Sequence, residues 1–230
     1  MKTYFHHLNR VAAGETRLKS FGNQSLPTAS APVLKARHHI PQLIVIAFVA
    51  FIAAGCASAP SKFYTLTSTA KGDGTSAANY AVAVGPVTVP AEVSRPQFTV
   101  QIAPNRVAVD EFNRWAAPLN DNIARVIAGD LATLLGTPRV ATGTLASFNP
   151  DYRVSLDIQQ FETVPGKSVS IQAVWVVRKS VGGVSLSGRT VVSEPATGDY
   201  DALAAAHSCA LAKVSRDIAA AIRSEVDKNL

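Results

Sequence analysis

The sequence predicts an α/β domain: a single-domain sandwich with a mixed, mostly antiparallel sheet of about six or seven strands packed by two main helices. Segments such as Phe98–Ile102 and Tyr152–Ile158 alternate apolar and polar residues, the period of a half-buried strand. Two longer stretches carry an apolar stripe at helical spacing. Pro- and Gly-containing turns separate the runs, and a helix apolar along one stripe covers a sheet face.

Taken in order, Phe63-Tyr64-Thr65-Leu66 reads as a strand, and Lys71 to Ala78 as a Gly/Ser/Thr loop. Tyr80 to Val89 is apolar on both faces, which suggests a central strand covered on both sides, and Pro90 ends it. Phe98, Val100 and Ile102 share one face of the next strand; Pro104-Asn105 turns into a return strand that begins at Val107–Val109. Pro118 suits a first helical turn. Leu119, Ile123, Val126, Ile127, Leu131, Leu134 and Leu135 then form one stripe, and Gly136 and Pro138 stop the helix. Arg139-Val140-Ala141 is a short strand. A meander follows: Tyr152–Ile158, a turn at Pro165-Gly166, Val169–Val177, a turn at Val181-Gly182-Gly183, and Leu186–Val192. The last element is a helix from Tyr200 to about Asp227, with Asp199 or Asp201 near its N-terminus.

The stretch Leu43–Cys56, LIVIAFVAFIAAGC, is an unbroken apolar run that ends in small residues and a cysteine. Lys35, Arg37, His38 and His39 precede it, which completes the layout of a secretory signal. It is too short for a membrane span of about 20 residues. The cysteine directly after Ala53-Ala54-Gly55 makes it look like a bacterial lipoprotein signal, although Ala53 stands where Leu is usual. That resemblance implies a diacylglycerol on the thiol of Cys56 and cleavage before it. The expected organisation is a leader over 1–55, a tether over 56–62 and a domain over 63–230. Residues 1–34 lie before the signal and make the leader run to 55, longer than the usual length of about 15–30 residues, and a start at Val33 or Leu34 would give an ordinary length.

The whole chain carries a formal charge of +6. Six Lys/Arg against one acid lie in residues 1–55, so residues 56–230 hold sixteen against fifteen. A domain this close to neutral has no electrostatic footprint for nucleic acid. Its cysteines are Cys56 and Cys209; with Cys56 lipidated, Cys209 has no partner and is expected to be a small buried hydrophobe. His207 is the one histidine of this part. No His/Cys/acid cluster has metal-ligand spacing, no Gly-rich phosphate loop appears, and a Ser–His or Cys–His nucleophile would depend on His207 alone. No cofactor is expected.

Several segments, in order, resemble the PqiC/YmbA family of auxiliary lipoproteins of ABC-type transport systems: Lys62–Leu66, Val84-Gly85-Pro86-Val87-Thr88-Val89-Pro90, Ser94-Arg95-Pro96-Gln97, Arg114-Trp115-Ala116-Ala117-Pro118-Leu119, Tyr152–Glu162 and Ala173-Val174-Trp175. Glu92-Val93-Ser94 and Ala117 depart from the family's usual residues. The resemblance implies a non-enzymatic subunit tethered to the outer membrane, facing the periplasm. It would dock to an MCE-domain protein beside an ABC transporter that moves phospholipids or other hydrophobic molecules, and homo-oligomers are possible. Ala57 after the cysteine agrees with outer-membrane sorting.

Candidate docking residues are Arg95, Gln97 and Arg114. Each has a structural alternative. Arg95-Pro96-Gln97 could simply start a hairpin, because Pro96 fixes its own φ and holds Arg95 extended. Arg114 could pair with Asp110 or Glu111. Trp115 and Trp175 are expected in the core. Two competing functions are a structural envelope lipoprotein without a transporter, and an envelope hydrolase built on His207.

Overall fold

The computed structural model describes residues 44, 59–74, 77–143, 148–183 and 185–227. Two compact units are separated at Ala57/Ser58, and the fold below is that of the second, Ser58–Leu230. The leader run other than Ile44, and Cys56 with its expected lipidation, lie outside the described residues. Among the described residues no helix is long and apolar enough to cross a membrane.

Among the described residues of this unit, eight strands and two helices follow one another as β1 (Lys62–Tyr64), β2 (Val82–Thr88), β3 (Gln97–Ala103), β4 (Arg106–Trp115), α1 (Leu119–Leu135), β5 (Val140–Thr142), β6 (Tyr152–Val164), β7 (Ser168–Lys179), β8 (Ser185–Pro195) and α2 (Tyr200–Asp227). The α/β architecture with two covering helices is as expected. The strands, however, divide into two sheets, ordered β5-β2-β6-β7-β8 and β1-β4-β3. Alternation marks a strand but does not name its partner, so one sheet and two sheets look alike in the sequence. In the larger sheet β2 runs parallel to β5 and β6, and β6-β7-β8 form an antiparallel meander. In the smaller, β1 is parallel to β4 and β3–β4 is a hairpin.

Helix α1 starts on Pro118, whose ψ of 133° is extended, and ends on Gly136, whose φ of 62° places it in the left-handed region. Only a residue without a Cβ enters that region freely, and there the Gly136 and Thr137 N–H groups cap the carbonyls of Thr133 and Ala132. Ile123, Val126, Ile127, Leu131, Leu134 and Leu135 are buried against α2 and the larger sheet. Burying a side chain of this kind contributes about 1.5–3 kcal/mol.

Helix α2 buries Leu203, His207, Ala210, Leu211, Val214, Ile218 and Ile222 on β7, β8 and α1. Cys209 falls outside that stripe and is exposed, contrary to expectation. It lies four residues from Ala205 and from Lys213, both exposed, so these three share the solvent face of the helix. Trp175 is buried on the inner face of β7, beside Val169, Ile171, Ala173 and Val177. Its partner across the sheet is Gly188, where a Cβ would lie 2.2 Å from the indole ring. The ring occupies the space that a side chain at 188 would need, and its Nε1–H donates to Thr190 Oγ1 at 3.1 Å.

One carboxylate sits on the apolar stripe of α1. Asp130 is fully buried and accepts from Ser68 Oγ (2.5 Å), the Thr69 and Ala70 N–H groups (3.0 Å each) and Ser215 Oγ (3.0 Å). It thereby joins the segment after β1 to both helices.

Candidate functional site

The smaller sheet carries Gln97 and Arg114, and Arg95 lies two residues ahead of its strand β3. The return strand expected to begin at Val107–Val109 is β4, which runs from Arg106 to Trp115 with a bulge: Gln97 pairs with Arg114, whereas the next residue, Phe98, pairs with Asp110. Asp110 closes the bulge. Its carboxylate accepts from the Phe112 and Asn113 N–H groups and from Asn113 Nδ2, each at 2.9 Å, and from Tyr200 Oη of α2 at 2.7 Å. Desolvation alone would raise this carboxyl; the hydrogen bonds from Tyr200, Asn113 and Phe112 overcome it and hold the pKa at about 2. Burial, reinforced by the bond to Asp110, pushes the Tyr200 phenol well above its ordinary range.

Beyond the bulge, Trp115 turns into the core. It stacks on Phe98 at 4.1 Å between ring centroids, and its N–H donates to the Pro96 carbonyl at 2.6 Å. The next N–H, of Ala116, donates to the Tyr64 carbonyl at 2.8 Å. These two bonds draw β1, the Ser94–Gln97 segment and the start of α1 together. Between them lies a cleft of about 350 Å³ lined by Ser94, Arg95, Pro96, Trp115, Pro118, Asn120 and their neighbours.

Arg95 stands exposed on the cleft wall, and among the described residues it makes no hydrogen bond or ion pair. Gln97 and Arg114 meet elsewhere, through Glu111. Gln97 Nε2 donates to Glu111 Oε2 at 3.2 Å, Arg114 Nε donates to the Glu111 carbonyl at 2.8 Å, and the Arg114 guanidinium lies 3.6 Å from the Glu111 carboxylate. Of the two partners open for Arg114 in the sequence, Glu111 is the one realised. The fold thus brings Gln97 and Arg114 together and leaves Arg95 separate on the cleft. Phe63, which pairs with Arg114, and Phe112 are exposed on the same small sheet.

His207 is fully enclosed. Its ring stacks on Phe161 at 4.0 Å and 6°, and Nε2 shares a 2.8 Å hydrogen bond with Thr163 Oγ1. Burial pulls its pKa down to about 3. The imidazole is therefore neutral, and no face of it reaches a substrate in solvent. Among the described residues no group of three or more His, Cys, Asp or Glu gathers to hold a metal ion.

The fold is shared by solved structures, two of them as follows. One, of an uncharacterized protein, is 19% identical, covers 71% of this chain and 99% of its own, and has a TM-score of 0.59. The other, a Xanthomonas campestris protein of family DUF330, is 18% identical, covers 74% of this chain and 100% of its own, and also has a TM-score of 0.59. No curated protein matches the chain. The sequence pattern of a family described as the ABC-type transport auxiliary lipoprotein component matches residues 64–219, from the end of β1 through most of α2. With that span reaching into both sheets and covering the Arg95 cleft, the chain belongs to the family of ABC-type transport auxiliary lipoprotein components.

Proposed function

We propose that the protein is a non-enzymatic subunit of an MCE/ABC-type lipid transport system, held at the outer membrane by lipid on Cys56. In this reading it docks to its MCE-domain partner through the cleft between Ser94–Pro96 and Trp115–Asn120. The observation that supports the reading is that two family-like segments, Ser94–Gln97 and Arg114–Leu119, supply the lining of that cleft, while a third, Lys62–Leu66, bonds to its Ala116 wall through the Tyr64 carbonyl. Arg95 offers an unpaired planar fork there, the geometry that accepts a carboxylate from a partner. Arg114 contributes indirectly, since Glu111 already engages it.

Reversing Arg95 is the sharper test. Arg95→Glu is expected to reduce co-purification of an MCE-domain protein from detergent-solubilised envelopes by about tenfold, with the circular dichroism spectrum and the melting temperature unchanged. Adding Arg114→Glu should deepen the loss. Full recovery of the partner with both arginines reversed would place docking elsewhere. The anchor is tested separately. Cys56→Ser should abolish incorporation of labelled palmitate, and normal labelling of that variant would refute lipidation at this position.

A further inference from the structure

The outer face of the larger sheet carries a pair of arginines that the docking reading leaves unused. Arg153 on β6 and Arg178 on β7 are directly opposite one another in register. Like charges so placed repel, and such a pair is disfavoured unless something of opposite charge lies between them. Among the described residues nothing does so. Among the described residues neither guanidinium has a hydrogen bond or an ion pair, and both are exposed. Asp151, which lines the neighbouring cleft, accepts the Ala81 N–H at 2.7 Å, and Asp157, farther along β6, accepts Thr88 Oγ1 at 2.6 Å; neither forms an ion pair with these arginines.

The pair also lies in a concavity. Arg153, Arg178, Ser155 and Val176 form one side of an open cleft of about 630 Å³, and Val84-Gly85-Pro86 and Gly143 form the other. A second cleft, of about 620 Å³, shares both arginines and adds Lys179. The Val84–Pro86 wall is one of the segments that carry the family resemblance, and it takes no part in the Arg95 cleft.

We propose that Arg153 and Arg178, with the Ser155 hydroxyl, form a binding site for a phosphate group in the cleft against Val84–Pro86. Two guanidinium forks can share the oxygens of one tetrahedral anion, each by paired N–H···O bonds. The bound anion would cancel the repulsion across the strands. The cleft suits a small anionic group, either free phosphate or the headgroup of an anionic phospholipid. The site is independent of the docking cleft, and its test has a different readout.

The experiment uses the full-length protein in maltoside detergent, titrated calorimetrically and melted in three media. These are inorganic phosphate, short-chain phosphatidylglycerol below its micellar concentration, and acetate at matched ionic strength. Phosphate or phosphatidylglycerol should bind saturably and raise the melting temperature, while acetate should not. Tighter binding of phosphatidylglycerol identifies the headgroup as the source; binding of inorganic phosphate alone identifies the free anion. Arg153→Gln with Arg178→Gln should abolish both responses and melt no lower than wild type in the absence of anion. Arg178→Lys, which keeps the charge and loses the fork, should weaken binding about tenfold. Failure of the wild type to respond to either phosphate probe, an equal response to acetate, or undiminished binding by the double variant would overturn the assignment.

Discussion

On the inner face of β7, Val169, Ile171, Ala173, Trp175 and Val177 are all buried. On β4, by contrast, Asp110 and Asn113 bond to Tyr200 and Tyr64 beside the buried Trp115. The five-stranded sheet is therefore held mainly by shape and apolar area. The three-stranded sheet is fastened by hydrogen bonds that tyrosine hydroxyls donate to Asp110 and Asn113, and by Arg125, which donates from α1 to the Leu66 carbonyl at 2.7 Å. The two modes fail differently. Apolar packing is sensitive to volume, whereas a polar fastening is sensitive to the loss of a single acceptor.

The largest effect is expected where that acceptor is most enclosed. Asp130→Ala removes the acceptor shared by Ser68, Thr69, Ala70 and Ser215 and should cost roughly 3–5 kcal/mol in denaturant melts. Amide exchange should rise first at Thr69 and Ala70, ahead of the meander. A variant that lost all regions together would break the distinction between the two sheets.

Next is a volume test in the larger sheet. Gly188→Ala places a Cβ inside the Trp175 ring position and should cost about 1–3 kcal/mol. Combining it with Trp175→Leu should recover part of that loss. Additive losses in the double variant would show that the ring contact is not the cause.

Acid separates the two regions without mutation. His207 lies under β6 of the larger sheet, with a folded pKa of about 3 against an ordinary 6.5. Between those values the unfolded chain binds a proton that the folded chain does not. Its contribution is therefore complete above pH 6.5 and declines as pH falls toward 3, by at most about 1.4 kcal/mol per unit. Asp110, depressed from 3.8 to about 2, contributes fully above pH 3.8 and is lost as pH falls through 2. His207→Gln should flatten the upper window and leave the lower one. An unchanged stability profile between pH 6.5 and 4 in that variant would contradict the burial argument.

The smallest effect is expected at Cys209. Cys209→Ala on the exposed face of α2 should shift stability by less than about 0.5 kcal/mol, and the wild-type thiol should react readily with an aqueous maleimide. A slow reaction would contradict its exposure.

Much of this was legible in the residues themselves. Helix α1 has the bounds that Pro118, the apolar stripe and Gly136 predict, and Trp115 and Trp175 are core residues as expected. The meander is legible because its strands alternate cleanly. Pairing between sheets was not, since it depends on contacts distant in sequence. Asp130 escaped notice because an acid on an apolar stripe differs from a solvated acid only through its partners, Ser68, Thr69, Ala70 and Ser215. Asp110 was visible as a possible mate for Arg114, but its work in closing the β4 bulge needs the backbone. The Arg153–Arg178 pair is spread across two strands and emerges only once the register is known.

The parallel pairing of β1 with β4 also has a mechanical consequence. Strand β1 is three residues long, and its carbonyl at Tyr64 holds the Ala116 N–H, one residue past Trp115. A pull on the chain ahead of Lys62 therefore loads β1 in shear and is passed directly to the residues that shape the Arg95 cleft. Load on that short strand and the shape of the cleft are thus joined through that backbone hydrogen bond.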